Sequence, residues 1–285
     1  MVDPAIVPPE VDVSIGVLLL LALLGAAVGI FGTLVGAGGG FILTPVLLVL
    51  YPRTSPSTIT AISLVVVFFN AASGSIAYAR QRRIDYASGL AYALATMPGA
   101  IVGVLVVGFA PRRVFDALTG VILAAAGASL MFGRRLVSRN PSRIGGTPRT
   151  ITDRSGTIYR YRVNLSLGVL YSLAVGFVSS FLGIGGGIIH VPLMVTALGF
   201  PVHIATATSH FVLANMAAAG SVTHIATGAF SAGTGIHRAL SLSVGVIGGA
   251  QVGAWMSQRI HGTTIQRLLS LALAVLAARL LIGAA

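Results

Sequence analysis

The chain has 285 residues, of which 55% are hydrophobic and only 8% are charged, and its formal net charge is +12. Soluble domains carry about a quarter charged residues, so this composition excludes an ordinary soluble enzyme, a disordered chain and a nucleic-acid reader. It predicts an all-α polytopic membrane protein. Cysteine is absent, which excludes disulfides, thiolate catalysis and Cys-based metal sites.

Apolar runs of about 20 residues, the length that crosses the hydrocarbon core, occur along most of the chain. Residues 1–12 contain three acids and no basic residue, so they lack the positive start of a signal peptide and are predicted to be an extracytoplasmic tail. Two shorter runs, 40–51 and 187–200, each follow a glycine cluster and are predicted to be half-helices or re-entrant segments. The predicted spans are about 13–35, 55–79, 86–109, 112–132, 163–184, 202–228, 236–258 and 262–283.

An arginine-rich linker occupies residues 133–162, with eight arginines and one aspartate. By the positive-inside rule it is predicted to be cytoplasmic, beside the anionic lipid of the inner leaflet. Residues 150–161 alternate polar and apolar side chains around Ser155 and Gly156, a pattern that favours a small hairpin. Two interpretations of the linker stay open, a solvated loop that determines the topology and a docking surface.

The two halves of the chain repeat each other. Residues 29–45, GIFGTLVGAGGGFILTP, align with residues 176–192, GFVSSFLGIGGGIIHVP, and six glycine or proline positions coincide. The similarity continues into the polar segment that follows each cluster. The sequence therefore predicts transmembrane repeat 1 at 13–132 and repeat 2 at 163–285, with about five segments in each.

An odd number of segments per repeat would invert repeat 2 relative to repeat 1. With the N-terminus outside, the arginines at 80–83 and in the linker lie inside. The arginines left outside are Arg53, Arg112, Arg113, Arg238 and Arg279. This bias favours two inverted-topology repeats, whereas an even number of segments would place the 80–83 loop and the linker on opposite sides.

The paired clusters GAGGG and GIGGG, each followed by a proline, resemble the TauE/SafE sulfite-exporter family, as do ATATSHF at 205–211 and GGAQVGAW at 248–255. The resemblance covers nearly all of the chain outside the first dozen residues and the linker. It implies a duplicated fold in the cytoplasmic membrane of a prokaryote that moves sulfite or small organosulfonates outward, using an ion gradient. His190 and His210 have Leu43 and Leu64 as counterparts in repeat 1, so the halves are expected to contribute unequally.

A sulfite-like anion inside the membrane must exchange its hydration for fixed hydrogen-bond donors. The interiors of the predicted spans hold no arginine or carboxylate; Asp116 follows Arg112 by four residues, which indicates an i,i+4 pair. Helix N-termini offer unpaired N–H groups and positive potential, and glycine leaves that backbone open to an anion. We expect the clusters to line the substrate site, with close helix packing as the alternative. Their residues are Gly36, Gly38, Gly39, Gly40, Gly183, Gly185, Gly186 and Gly187.

Polar side chains at helical spacing are predicted to complete the site. The candidates are Thr60, Ser63, Asn70, His190, Thr206, Ser209, His210 and Gln251. The alternative is that Ser and Thr bond their own helix backbone and that small-residue faces pack. Because the spans lack a buried carboxylate, a proton-coupled cycle would need histidine, with His190, His210 and His224 as candidates. Sodium coupling, or flow of the anion along its own electrochemical gradient, stays open.

The sequence thus predicts a secondary transporter that exports a small sulfur oxyanion by alternating access, without cofactor or metal. It does not predict an enzyme, because paired carboxylates, GxSxG, HExxH and a nucleophile–base pair are missing from the spans. The closest alternative is the same fold carrying another small inorganic or organic anion; a channel or a membrane-embedded enzyme is more remote. The expected partners are the anionic substrate and membrane lipids, not nucleic acid, and a homo-oligomer stays open.

Overall fold

The computed structural model describes residues 14–132, 146–230, 235–257 and 274–283. The predicted tail at 1–12, residues 133–145 of the linker and most of the predicted span at 262–283 lie outside these ranges. The described helices are α1 (Ile15–Val35), α2 (Gly40–Leu50), α3 (Pro56–Arg80), α4 (Tyr86–Val107), α5 (Arg112–Phe132), α6 (Leu165–Leu182), α7 (Gly187–Thr196), α8 (Val202–Ala226), α9 (Gly235–Met256) and α10 (Ala274–Gly283). The strands are β1 (Thr147–Thr152) and β2 (Ile158–Val163).

Five of the described helices are long and apolar enough to cross a membrane, namely α1, α3, α4, α6 and α9. Their apolar residues extend around the helix rather than along one narrow stripe, as expected for segments surrounded by lipid and by other helices. Large apolar side chains such as Leu20, Leu105 and Val244 are exposed on the outer surface. The prediction of an all-α polytopic membrane protein is confirmed.

The two short apolar runs form α2 and α7, with 11 and 10 residues. Helices of this length rise about 15–17 Å, roughly half of the hydrocarbon core. Each follows a long helix through a segment of left-handed glycines, Gly36, Gly38 and Gly39 before α2 and the equivalent three before α7. Consecutive left-handed residues are strained for any side chain with a Cβ. Residues 36–40 and 183–187 are called the first and second glycine loops below.

The first helix of each repeat packs against a helix of the other repeat. In the pair α1–α9, Gly25 faces the backbone of Leu242 and Gly29 faces that of Val246, so the two helices run parallel. The corresponding pair α4–α6 is also parallel. Its contacts join Gly99 to Leu173 and Gly103 to Phe177. The two pairs join corresponding helices of the two halves of the chain, and they show that the GxxxG glycines serve close packing.

The polar helices α3 and α8 cross the middle of the molecule and pack against each other. Both are buried along most of their length. The centre of the protein is formed by α3, α8 and the glycine loops, and the loops also contact Val28 of α1 and Ser179 of α6.

The predicted hairpin is present as β1 and β2, an antiparallel pair in register from Thr147–Val163 to Thr152–Ile158. It is longer than predicted at both ends, and the second predicted repeat starts within it because Val163 belongs to β2. Tyr161 and Val163 are buried in a cluster with Met194 and Phe200. This part of the linker therefore docks on the helix ends; that end of the molecule is called the hairpin side.

Candidate functional site

The two glycine loops meet at the centre of the molecule, and all their residues are buried. A Cβ placed on Gly40 would lie 2.7 Å from the carbonyl oxygen of Gly183, and one placed on Gly187 would collide with the backbone of Gly36 and Ala37. The loops begin α2 and α7, so the N-termini of both half-helices meet. Each N-terminus carries roughly half a unit of positive charge, and their juxtaposition creates a positive potential without any charged side chain.

Six buried amides at these N-termini have no acceptor among the described residues. They are the N–H groups of Gly39, Gly40, Phe41, Gly185, Gly186 and Ile188. The next residues already bond back to the loops, for example His190 N–H to the carbonyl of Gly186 at 2.8 Å. Buried N–H groups without a partner are rare, so this set indicates a place where a hydrogen-bond acceptor binds.

Side-chain hydroxyl groups, two of them from predicted site residues, donate hydrogen bonds to carbonyls of the glycine loops. Ser63 donates to the carbonyl of Gly183 at 2.6 Å, and Ser209 donates to that of Gly36 at 3.3 Å. Thr44, which the sequence reasoning missed because its counterpart is a valine, also donates to Gly183 at 2.8 Å. The carbonyls of Gly36 and Gly183 are thus each bonded by a side chain from the other repeat.

Thr60 and Thr206 occupy equivalent positions beside the loops. A Cβ on Gly183 would lie 2.9 Å from Thr60 Cα, and one on Gly36 would lie 2.8 Å from Thr206 Cγ2. The Thr60 hydroxyl donates to the carbonyl of Ser57 at 2.9 Å. These predicted residues therefore support the loops by packing, and Thr60 bonds its own helix.

Two buried side chains beside the loops keep an unused polar atom. Asn70 accepts from Thr33 Oγ1 through Oδ1 at 3.1 Å, while its Nδ2 has no acceptor among the described residues and would lie 3.4 Å from a Cβ on Gly39. Ser179 Oγ is likewise unpartnered and would lie 2.8 Å from a Cβ on Gly186. Asn70 was predicted; Ser179 was missed because its counterpart in repeat 1, Gly32, is not polar.

Each predicted histidine has one ring nitrogen bonded and one unpartnered within the described structure. His190 Nε2 lies 3.3 Å from Ser172 Oγ, and that hydroxyl already donates to the carbonyl of Gly168. His190 must therefore carry its proton on Nε2, which leaves Nδ1 as a free acceptor. The same logic applies to His224, whose Nε2 lies 3.2 Å from the Thr60 hydroxyl.

His210 lies one helical turn after Thr206, the residue that packs against Gly36 of the first glycine loop. Its Nδ1 is 3.2 Å from the carbonyl of Thr206, so Nδ1 carries the proton and Nε2 is the unpartnered acceptor. The ring packs edge-on against Tyr78 with centroids 5.4 Å apart and covers Gly74. His190 lies on α7, and His224 lies about four turns beyond His210 on α8, so the three histidines do not form one cluster. Among the described residues no group of three or more His, Asp or Glu side chains is placed to hold a metal ion.

Gln251 bonds α3 and not a glycine loop through its amide nitrogen. Its Nε2 donates to the carbonyl of Ser73 at 2.8 Å and to the hydroxyl of the same residue at 2.9 Å. These bonds connect α9 to α3.

The predicted Arg112–Asp116 pair is present at 2.8 Å, and Arg112 also donates to the carbonyl of Leu48 at the end of α2.

Two buried acids that the sequence reasoning missed connect the hairpin to the helices on the hairpin side. Asp85 caps the start of α4 and accepts from the Tyr161 hydroxyl at 2.9 Å. Asp153, in the hairpin turn, pairs with Arg83 at 3.1 Å. Burial raises the pKa of Asp153, but hydrogen bonds from Ser155, Thr157 and Arg83 outweigh it and hold the pKa at about 2. Neither acid stands out in the sequence, because both lie outside the apolar runs.

Comparison with known proteins places the chain among membrane transporters. Residues 21–280 match the sulfite exporter TauE/SafE family. The chain is 30% identical over 268 residues to the probable membrane transporter protein YunE of Bacillus subtilis, an alignment that covers 92% of this chain and 96% of the relative. It is 26% identical over 267 residues to a probable membrane transporter protein of Methanocaldococcus jannaschii, covering 90% and 92% of the two chains. No solved structure matches.

Proposed function

The chain belongs to the TauE/SafE family of multi-pass membrane transporters, and on this premise we propose that it exports a small sulfur oxyanion, sulfite or a short organosulfonate, by alternating access. The membrane is the cytoplasmic membrane of a prokaryote, with the N-terminus outside and the linker in the cytoplasm. The anion binds between the two glycine loops.

The observation that carries this proposal is the set of six unpartnered amides where α2 and α7 begin. An anion between the loops accepts hydrogen bonds from these N–H groups and neutralises the two facing helix dipoles. Without such an acceptor, each buried N–H loses the hydrogen bond that water provides in the unfolded chain, which costs about 1–3 kcal/mol.

The surroundings favour a compact oxyanion. In the described parts of α1–α4 and α6–α9, the arginines lie in a first or last turn and carboxylates are absent. Asn70 Nδ2 and Ser179 Oγ add one neutral donor on each side. Ser63 and Thr44 donate to the carbonyl of Gly183 and Ser209 donates to that of Gly36, which lowers the repulsion between these two carbonyls and the anion. Neutral donors of this kind bind the anion without a fixed counter-charge. The anion can therefore also be released.

The driving force is an ion gradient or the membrane potential. An inside-negative potential already drives a cytoplasmic anion outward. Proton coupling would use a buried histidine with a free ring nitrogen, and His210 is the foremost candidate since Thr206 links it to the first glycine loop. His190 and His224 are the other candidates.

The test is sulfite efflux from proteoliposomes that contain the purified chain, with protein-free liposomes as the control. Sulfate, thiosulfate and a short alkanesulfonate serve as competitors, under an imposed potential or pH gradient. We expect saturable sulfite efflux that at least one sulfur anion inhibits. Absence of flux for all sulfur anions would overturn the proposed substrate, and flux of a carboxylate instead would favour another small anion on the same fold.

A further inference from the structure

A separate cavity of about 380 Å³ lies on the hairpin side, outside the glycine loops. Its volume is within the range of small-molecule sites. The lining residues are Arg80, Gln81, Arg83, Asp153, Arg154 and Ser155. They come from the end of α3, the following loop and the turn of the hairpin, so the cavity exists only because the hairpin docks.

The walls of this cavity are fixed by buried interactions. Arg83 pairs with Asp153 at 3.1 Å, with side chains 13% and 1% exposed. The Arg154 N–H donates to the carbonyl of Gln81 at 3.0 Å, and Gln81 Nε2 donates to the carbonyl of Ala254 at 3.2 Å. The hairpin, the 81–85 loop and the end of α9 are therefore held together at one point.

Two arginines in this cavity have no counter-charge in the described structure. Asp153 is already bonded to Arg83, and Asp85, the other acid on this side, bonds Tyr161 and lies 3.9 Å from Arg149. Arg80 and Arg154 are left without an acid. Both arginines are exposed, so their guanidinium groups are open to an incoming anion.

We propose that this cavity is an entry site, where a small oxyanion binds to Arg80 and Arg154 before it moves to the glycine loops. Guanidinium groups bind planar or tetrahedral oxyanions through paired N–H donors, and a positive cleft raises the local anion concentration. The proposal rests on the proposed function, which supplies the anion that travels through the protein.

Helix α3 connects the entry site to the glycine loops. Gln81 lines the cavity, and Asn70 lies beside the first loop, about 16 Å further along the helix axis. Tyr78 lies between them, fully buried, with its hydroxyl donating to the carbonyl of Thr33 at 2.9 Å. Tyr78 and His210 therefore close the route in this structure, which keeps the two sites separate.

A tryptophan near this site provides a fluorescence signal for ligand binding. Trp255 is its single tryptophan, next to Ala254, whose carbonyl bonds Gln81. Titration of purified protein with sulfite, sulfate or inorganic phosphate is expected to change Trp255 fluorescence in a saturable way. The double variant Arg80→Gln/Arg154→Gln is expected to raise the dissociation constant at least tenfold. Arg113→Gln, an exposed arginine at the other end of the molecule, is the matched control and is expected to bind as the unmodified chain does.

Transport supplies the second readout. The double variant is expected to raise KM for efflux from the hairpin side several-fold with unchanged kcat, and Arg113→Gln to leave both unchanged. Equal affinity and equal KM in the double variant and the control would overturn the entry site, as would a response to anionic phospholipid vesicles but to no free oxyanion. Saturable binding without flux would instead overturn the proposed function and leave the cavity an oxyanion site.

Discussion

At the scale of single residues, the most informative atoms are those that the fold buries without a partner. Asn70 Nδ2, Ser179 Oγ and His210 Nε2 lie in a protein interior where most polar atoms are paired. Helical spacing predicted Asn70 and His210, because both lie on the polar face of their helix. It did not predict Ser179, whose position relative to Gly186 depends on the packing of α6 against the second glycine loop.

Asn70→Ala is expected to reduce sulfite efflux roughly 10- to 100-fold, because a hydrogen bond to a charged group contributes about 1.5–3 kcal/mol. Initial rates in proteoliposomes, normalised to the monodisperse protein, measure the effect. Asn215→Ala is the matched control, since Asn215 lies on α8 and its side chain bonds the carbonyl of Phe211 in its own helix. Equal rates for the two variants would exclude Asn70 as an anion ligand.

His210→Leu places at this position the residue that repeat 1 has at position 64. If His210 couples transport to protons, the variant is expected to retain folding and to lose the dependence of flux on pH between about 5.5 and 8, where histidine ordinarily titrates. His237→Gln, near the start of α9, is the control. A pH profile in His210→Leu that matches the unmodified chain would exclude proton coupling through this residue.

At the scale of elements, the half-helices exist because glycine permits two chain reversals in the middle of the fold. Their starting points were predicted from the two clusters; the predicted end of the first run, 51, is one residue beyond α2, and that of the second, 200, is four residues beyond Thr196, where α7 ends. That both clusters line one site was expected from the repeats, but their direct contact was not, because the spacing along the chain does not reveal how α3 and α8 bring the loops together.

Gly40→Ala and Gly187→Ala are expected to lower the melting temperature, because each Cβ would meet backbone of the opposite loop and overpacking costs about 1–3 kcal/mol. Gly248→Ala is the control, as a Cβ there meets nothing within 4 Å and a helical alanine is favoured over glycine by up to about 1 kcal/mol. Thermal unfolding in detergent measures all three. Equal melting temperatures would show that the loops do not pack as described.

Asp153→Asn is expected to weaken hairpin docking by about 3 kcal/mol, the usual effect of breaking a buried ion pair. The pKa of Asp153 is lowered to about 2, so its stabilising contribution is complete above pH 4 and is lost only as the pH falls through about 2. The melting temperature of the variant is therefore expected to fall by the same amount at pH 5 and pH 8. Asp116→Asn, in a more exposed i,i+4 pair, is expected to have a smaller effect. A shift that differs between pH 5 and pH 8 would contradict this assignment.

At the scale of the whole molecule, the hairpin joins the two repeats. It contacts the 81–85 loop that follows α3 of repeat 1 and the segment that leads from α7 to α8 of repeat 2. If the two repeats move relative to each other, as the proposed alternating access requires, the hairpin must move with one repeat or be released from it.

The absence of cysteine allows a clean test of membrane orientation. Ser155→Cys, in the hairpin turn, is expected to react with a membrane-impermeant maleimide only from the cytoplasmic face, and Arg113→Cys only from the outer face. Intact cells and inverted vesicles provide the two exposures. Labelling of both positions from one face would exclude the proposed topology.

The amino-acid sequence by itself determined the membrane class, the helices, the duplicated glycine clusters and the family, because apolar length and backbone freedom are local properties that leave a direct pattern. Only the tertiary structure decided that the half-helix N-termini meet, that Gln251 bonds Ser73 and not a glycine loop, and that Asp153 seats the hairpin on Arg83. These features depend on contacts between residues far apart in the chain, and their energies arise from burial and geometry that no local pattern encodes.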